Sequence, residues 1–184
     1  YMELPVAFDA VTVVIHPKNK FLSKITVDEL KKIWEPAAQG VITTWNQVNP
    51  AWPKTPIKLY GPGADSGTFD YFTEAINGKA KLSRTDFTTS EDDNVIVQAV
   101  SRDVNAMGYL GFAYYSENNK QLKAAAIVAK DVKSAVLPSV KTVMDASYKP
   151  LARPLFIYVN AKADQRPEVN AFVDYYLNNA DVIA

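Results

Sequence analysis

The chain has 184 residues, 48% of them hydrophobic, enough to bury one substantial core or two small lobes without metals or disulfides. Twenty acidic side chains balance twenty basic ones, which excludes the global field that draws a protein onto nucleic acid or an anionic membrane, so any anion site must be local. There is no cysteine, which rules out disulfide frameworks, zinc ribbons and thiol nucleophiles.

No stretch approaches the roughly twenty apolar residues of a membrane span, and the first residues lack the basic-then-apolar layout of a signal peptide. Tyr1 to Pro5 lead almost directly into the apolar run Val11–Ile15, so the chain reads as an excised or truncated segment. That run is β-branched and continuous, as expected of a strand covered on both faces, and His16-Pro17 ends it. Thr26 and Glu29 then stand in capping-box spacing, and Val27, Leu30, Ile33 and Trp34 fall on one helical face before Pro36 stops the run.

Residues 40–56, with two tryptophans, read as an irregular connection that packs aromatic rings. A short strand follows at Ile57–Tyr60, then a loop at Gly61–Gly67, then a helix from Thr68 with Phe69, Phe72 and Ile76 on one face and Gly78 as its terminator. Ser90 to Asp93 open another helix with Val97 and Val100 toward the core. Ala106–Leu110, Ala124–Val128 and Leu155–Val159 are strand candidates, and Pro167 takes the first position of a final helix through Leu177. Strand alternates with helix, an α/β pattern without internal repeats.

The informative constellation is Tyr60-Gly61-Pro62-Gly63-Ala64-Asp65-Ser66-Gly67-Thr68-Phe69. Between a strand and a helix, positive φ at Gly63 and Gly67 would let successive backbone N–H groups converge on an anion where the helix dipole also favours negative charge. Ser66 and Thr68 add hydroxyl donors, a set suited to a tetrahedral oxyanion. The plainer reading is that Asp65 or Ser66 only caps the helix, and the two readings are compatible.

Three sharper motifs nearly match. Ser66 stands where the third glycine of a dinucleotide fingerprint belongs, and no lysine follows Gly67 as a phosphate-loop NTPase requires. Asp65-Ser66-Gly67-Thr68 spells the tetrapeptide of aspartic proteases, but no second Asp-Ser/Thr-Gly supplies the partner carboxylate.

The segment Gly61–Ile76, with Ser83-Arg84-Thr85-Asp86-Phe87, Ser90–Asn94 and Met107–Tyr115, resembles the PstS-type phosphate-binding proteins, the receptor components of ABC phosphate importers. Leu4–Asp9 is similar to that family's entry into its second lobe and Arg153–Val159 to its late strand. The resemblance implies an α/β, type II periplasmic-binding-protein fold, a mixed sheet with flanking helices. The chain would form one α/β domain over 1–184, mostly the second lobe, with a return segment over about 150–184. The N-terminal lobe and the extreme C-terminus would be missing.

The family's Ser-Gly-Thr loop maps onto Ser66, Gly67 and Thr68. Many members place an arginine a few residues earlier, where this chain has Pro62, so Arg84 becomes the candidate cationic ligand and Asp65 the candidate acceptor for a protonated phosphate. The implied partners are inorganic phosphate and membrane permease subunits, with no cofactor, no metal and no nucleic acid. The implied location is periplasmic or extracytoplasmic, free or lipid-anchored in the full-length protein. Self-association through the face left by the missing lobe is a further expectation. Open alternatives are an enzyme built on the Asp-Ser-Gly-Thr loop, acting on peptides or phosphate esters, and a surface interaction or antigen domain without an intact ligand site.

Other residues take bland readings. His16 is the only histidine and has no second one to share a metal. Asp92 and Asp93 decorate a helix start, and Tyr109, Phe112, Tyr114, Tyr115 and the three tryptophans belong to core or lobe interface.

Overall fold

The computed structural model describes residues 1–132 and 134–179. The apolar run expected as a buried strand is the second half of a longer one, β1 (Met2–Ile15), in which Ala10 to Ile15 are all buried. Short β2 (Lys24–Thr26) leads into α1 (Val27–Trp34), where Thr26 and Glu29 form the expected capping box and Val27, Leu30, Ile33 and Trp34 are the buried face. Pro36 ends the α-helix and opens a single 3₁₀ turn. The aromatic-rich connection contains α2 (Trp45–Val48), with Trp45 buried against Phe21 and Trp52.

Next come β3 (Lys58–Gly61), α3 (Gly67–Asn77), β4 (Thr88–Thr89), α4 (Asp93–Arg102), β5 (Ala106–Gly111) and α5 (Phe112–Glu117). The single strand expected over Ala124–Val128 is two: β6 (Lys123–Ala124) joins the main sheet, and β7 (Ala126–Val128) pairs in parallel with β2. Ala125 is fully buried between them, where the chain passes from one sheet to the other. The chain continues through α6 (Val140–Met144), β8 (Ala152–Val159) and α7 (Pro167–Asn178), with Pro167 at the first helical turn as anticipated. The last residues of the return segment expected over about 150–184 lie outside the described residues.

The main sheet has the order β4-β3-β5-β1-β6, so it is mixed: β3 runs parallel to β4 and β5, and β1 antiparallel to β5 and β6. Two packing centres hold helices to it. On one face Trp34 meets Phe72, Phe87 and Tyr109 edge-on, and Phe72 stacks on Tyr109 at 3.8 Å between centroids. On the other, Ile96, Val97 and Val100 of α4 pack against Val14, Leu110 and Leu122. Val97 and Val100 face the core as expected and Ile96 joins them, while Val95 stays exposed.

Two features position the candidate site. Each of the parallel strands β3, β4 and β5 is followed by a helix, so the N-termini of α3, α4 and α5 gather at one edge of the sheet, beyond the strands' carboxyl ends, where open α/β sheets hold ligands. The first half of β1 also leaves the sheet at that edge. Val11 pairs with Gly111 at the carboxyl end of β5, and Met2 to Ala10 pair instead with β8 as a two-stranded ribbon. Phe8, Leu155, Phe156 and Tyr158 on this ribbon and Phe172 and Tyr175 on α7 are exposed.

Candidate anion-binding site

The site begins with the turn between β3 and α3. Gly61, Pro62 and Gly63 are buried, Ala64 and Asp65 are exposed, and the Ser66 amide donates to the Gly63 carbonyl at 3.2 Å. Ser66 is the helix cap: its backbone is extended, its Oγ accepts from the Thr68 amide at 3.2 Å, and its carbonyl accepts from the Asp70 amide at 3.1 Å. The cap is therefore Ser66 and not Asp65. Because the Ser66 oxygen accepts, its O–H remains free to donate outward. The amides of Gly67 and Phe69 have no acceptor among the described residues, as expected in a first helical turn.

The glycines work differently from the sequence expectation. Positive φ among glycines occurs at Gly40 and Gly78, the latter capping α3 at its C-terminus, and not at Gly63 or Gly67. Donors converge here because a regular helical turn begins, and no left-handed residue is needed. What Gly61 supplies is room: a Cβ there would lie 3.0 Å from the ring of fully buried Tyr109 and 3.2 Å from that of Phe87. A Cβ on Gly67 would meet nothing within 4 Å, so the first turn of α3 faces open space.

Arg84 stands to one side of this turn. It borders a cavity of about 230 Å³ together with Pro62, Ala64, Lys81 and Phe69 of the first helical turn, while Ser66, Gly67 and Thr68 are not among its walls. Its side chain is 5% exposed, and its donors are spent internally. Nε and Nη2 donate to the two Asp86 oxygens at 2.5 and 2.8 Å, and Nη1 donates to the carbonyls of Ile33 and Ile42, both at 3.1 Å. Only one of five N–H groups is left over. The bond from Arg84, aided by the Gly40 amide at 3.0 Å, holds the Asp86 carboxyl down at about 2. The geometry makes Arg84 a strut between α1, the Gly40 turn and the segment after α3.

A second arginine, quoted above only as part of a strand motif, packs on α3. Arg153 of β8 pairs in register with Asp9 of β1, donating to Asp9 Oδ2 through Nη2 at 3.1 Å and Nε at 3.4 Å. Its guanidinium carbon is 4.5 Å from the ring centre of Tyr71 on α3. Tyr71 donates through its hydroxyl to the carbonyls of Pro150 and Ala152, at 2.7 and 2.9 Å. Burial, opposed by Arg153, raises the Tyr71 phenol above its ordinary range and keeps it a donor. Sequence reasoning missed this trio because Asp9 and Arg153 are 144 residues apart and only the strand register joins them.

The remaining candidates fall elsewhere. His16 follows Ile15, which pairs with Met107 near the start of β5, so it sits at the sheet edge opposite the helix N-termini; its Nδ1 accepts from the Lys18 amide at 3.0 Å. Asp92 caps α4 by accepting from the Asn94 amide, and burial with the neighbouring Asp92 charge raises the Asp93 carboxyl. Of the aromatic run, Tyr109 is core whereas Tyr114 is exposed.

Comparisons with known proteins agree with this architecture. A family model described as a PBP superfamily domain matches residues 1–180. Protein SphX from Synechocystis sp. is 56% identical across 100% of this chain and 54% of its own length. The phosphate-binding protein PstS of Staphylococcus saprophyticus is 38% identical over 88% of this chain and 48% of its own. The chain thus spans about half the length of the curated relatives it matches. Among solved structures, a possible phosphate binding protein from Planctomyces limnophilus superposes with a TM-score of 0.90 at 45% identity, over 95% of this chain and 61% of that one. An ABC-type phosphate transport receptor from Vibrio cholerae shares the fold, with a TM-score of 0.72 at 21% identity over 94% of this chain and 66% of that one.

Proposed function

We propose that this chain, which belongs to the PBP superfamily, forms the greater part of one lobe of a receptor that captures inorganic phosphate for an ABC-type importer. The observation that carries the reading is the open first turn of α3 at the sheet edge where three helix N-termini gather. There the Ser66 and Thr68 hydroxyls and the Gly67 and Phe69 amides offer donors to a tetrahedral anion, and the helix dipole adds a favourable field. Asp65, exposed beside the cap, takes the part of acceptor for a phosphate proton. The relatives named as phosphate-binding proteins point to the same ligand.

The domain comprises the sheet and its helices, with residues from about 150 onward returning toward a second lobe that supplies the rest of the donor set. The ribbon and the exposed face of α7 fit that role, and in the isolated chain their exposed apolar residues favour self-association. The protein works outside the cytoplasmic membrane beside permease subunits and performs no chemistry. A hydrolase needs a nucleophile with an activating base, and His16 lies at the far edge of the sheet from Ser66. Calorimetry separates the readings: phosphate binds with saturable heat while a phosphate ester or peptide is not turned over. Thr68→Val should weaken phosphate binding by about 1–3 kcal/mol, the cost of an unmade hydrogen bond to a charged group. Measurable hydrolysis, or affinity untouched by Thr68→Val, overturns the proposal.

A further inference from the structure

We infer that Arg153 is the cationic ligand of this site, reaching the anion from the ribbon, in place of the arginine that Pro62 displaces from the loop. The inference rests on the phosphate reading above. Its first ground is position. Tyr71 stands on α3 about one turn after Gly67 and Thr68. Arg153 stacks on its ring at 4.5 Å, and the two hydroxyl bonds of Tyr71 to the chain just before Arg153 fix the ring in place. The guanidinium is thereby held against α3 at Tyr71, about one turn past Gly67 and Thr68, on the side where the ribbon departs from Val11 and Gly111.

The second ground is donor accounting. Asp9 takes Nε and one Nη2 hydrogen, which leaves three of the five N–H groups of Arg153, and its side chain is 30% exposed. Arg84 has one N–H left and is 5% exposed. A guanidinium that keeps one flat side on a carboxylate and offers the other outward is arranged to grip a second oxyanion through two oxygens at once. Asp9 then competes with the ligand for the fork.

The test is a phosphate titration of the 184-residue chain followed by the amide NMR signals of Gly67, Thr68 and Phe69, which reads millimolar binding. Arg153→Gln should weaken the midpoint about tenfold, while Asp9→Asn, which removes the competing acceptor, should hold or tighten it. An unchanged midpoint in Arg153→Gln, or a weakening in Asp9→Asn, makes the pair a structural bridge and overturns the inference. If Arg153→Gln loses amide dispersion, Arg153→Lys replaces it, keeping charge and stem but not the fork. A weaker midpoint then supports the assignment, and an equal one overturns it. A wild-type chain whose three amides ignore phosphate removes the phosphate reading and this inference with it, whereas a response lost in Thr68→Val but kept in Arg153→Gln removes the inference alone.

Discussion

Arg84 and Asp86 form a two-pronged ion pair, Nε to Oδ1 at 2.5 Å and Nη2 to Oδ2 at 2.8 Å, only two residues apart in the chain. The remaining bonds of Arg84 reach the buried carbonyl of Ile33 and the half-buried one of Ile42, which have no other donor among the described residues. Arg84→Met should therefore destabilise the fold by about 1–3 kcal/mol, the cost of orphaned buried acceptors, as read by urea unfolding. Stability equal to wild type would show that the strut is dispensable.

The same pair sets an acid limit. Asp86 is held at about 2, well below its ordinary value of 3.8, so its contribution to stability is complete above the unfolded-state value and drains away as pH falls through about 2. Asp86→Asn should flatten that limb of the stability curve, and acid titrations of wild type and variant, followed by circular dichroism, should diverge above pH 4 and converge toward pH 2. Parallel curves would mean that the pair gives no pH dependence.

Capping and ligand binding share one side chain, and Ser66→Asp separates them. Aspartate caps as well as serine, so α3 and the melting temperature should be retained. Phosphate affinity should collapse, because a carboxylate now occupies the place where the anion's donors converge. If phosphate still binds as in wild type, the anion does not sit at this turn.

Much of this was legible in the sequence because the signals were local. The capping box at Thr26 and Glu29, the buried run ending at Ile15, the strand-loop-helix unit around Ser66 and the proline start of α7 each depend on residues a few positions apart, and each stands in the structure. What failed to show was long-range or conformational. The division of 123–128 between two sheets is decided by partners on β1 and β2, and the commitment of Arg84 by carbonyls some 40 to 50 positions earlier. Gly63 and Gly67 suggested a left-handed nest, but glycine only permits positive φ, and an ordinary helix start already turns the amides outward.

Gly67 is the position where fold and ligand make opposite demands. Its φ is outside the left-handed region and a methyl would meet no protein atom, so Gly67→Ala should keep or raise stability by up to about 1 kcal/mol through helix propensity. The methyl would project into the open space before the first turn and push an anion away from the amides. Thermal melting and phosphate titration of the one variant should move in opposite directions; equal affinity would place the anion elsewhere.

The last prediction concerns how much of the site one lobe holds. The donors around Ser66 and the proposed Arg153 fork approach the anion from α3 and the ribbon only, leaving its other side to water, and the chain spans about half the length of its curated relatives. A receptor that traps its ligand between two lobes divides its hydrogen bonds between them. The 184-residue chain should accordingly fold cooperatively on its buried aromatic centre yet bind phosphate only in the millimolar range. Extended to the full length of its relatives, it should bind more tightly by about 4 kcal/mol, the worth of two or three charge-assisted hydrogen bonds, or nearly a thousandfold. Isothermal titration of both proteins decides the matter: micromolar binding by the 184 residues alone would mean that α3 and the ribbon form a complete site and that no second lobe is needed to hold the anion.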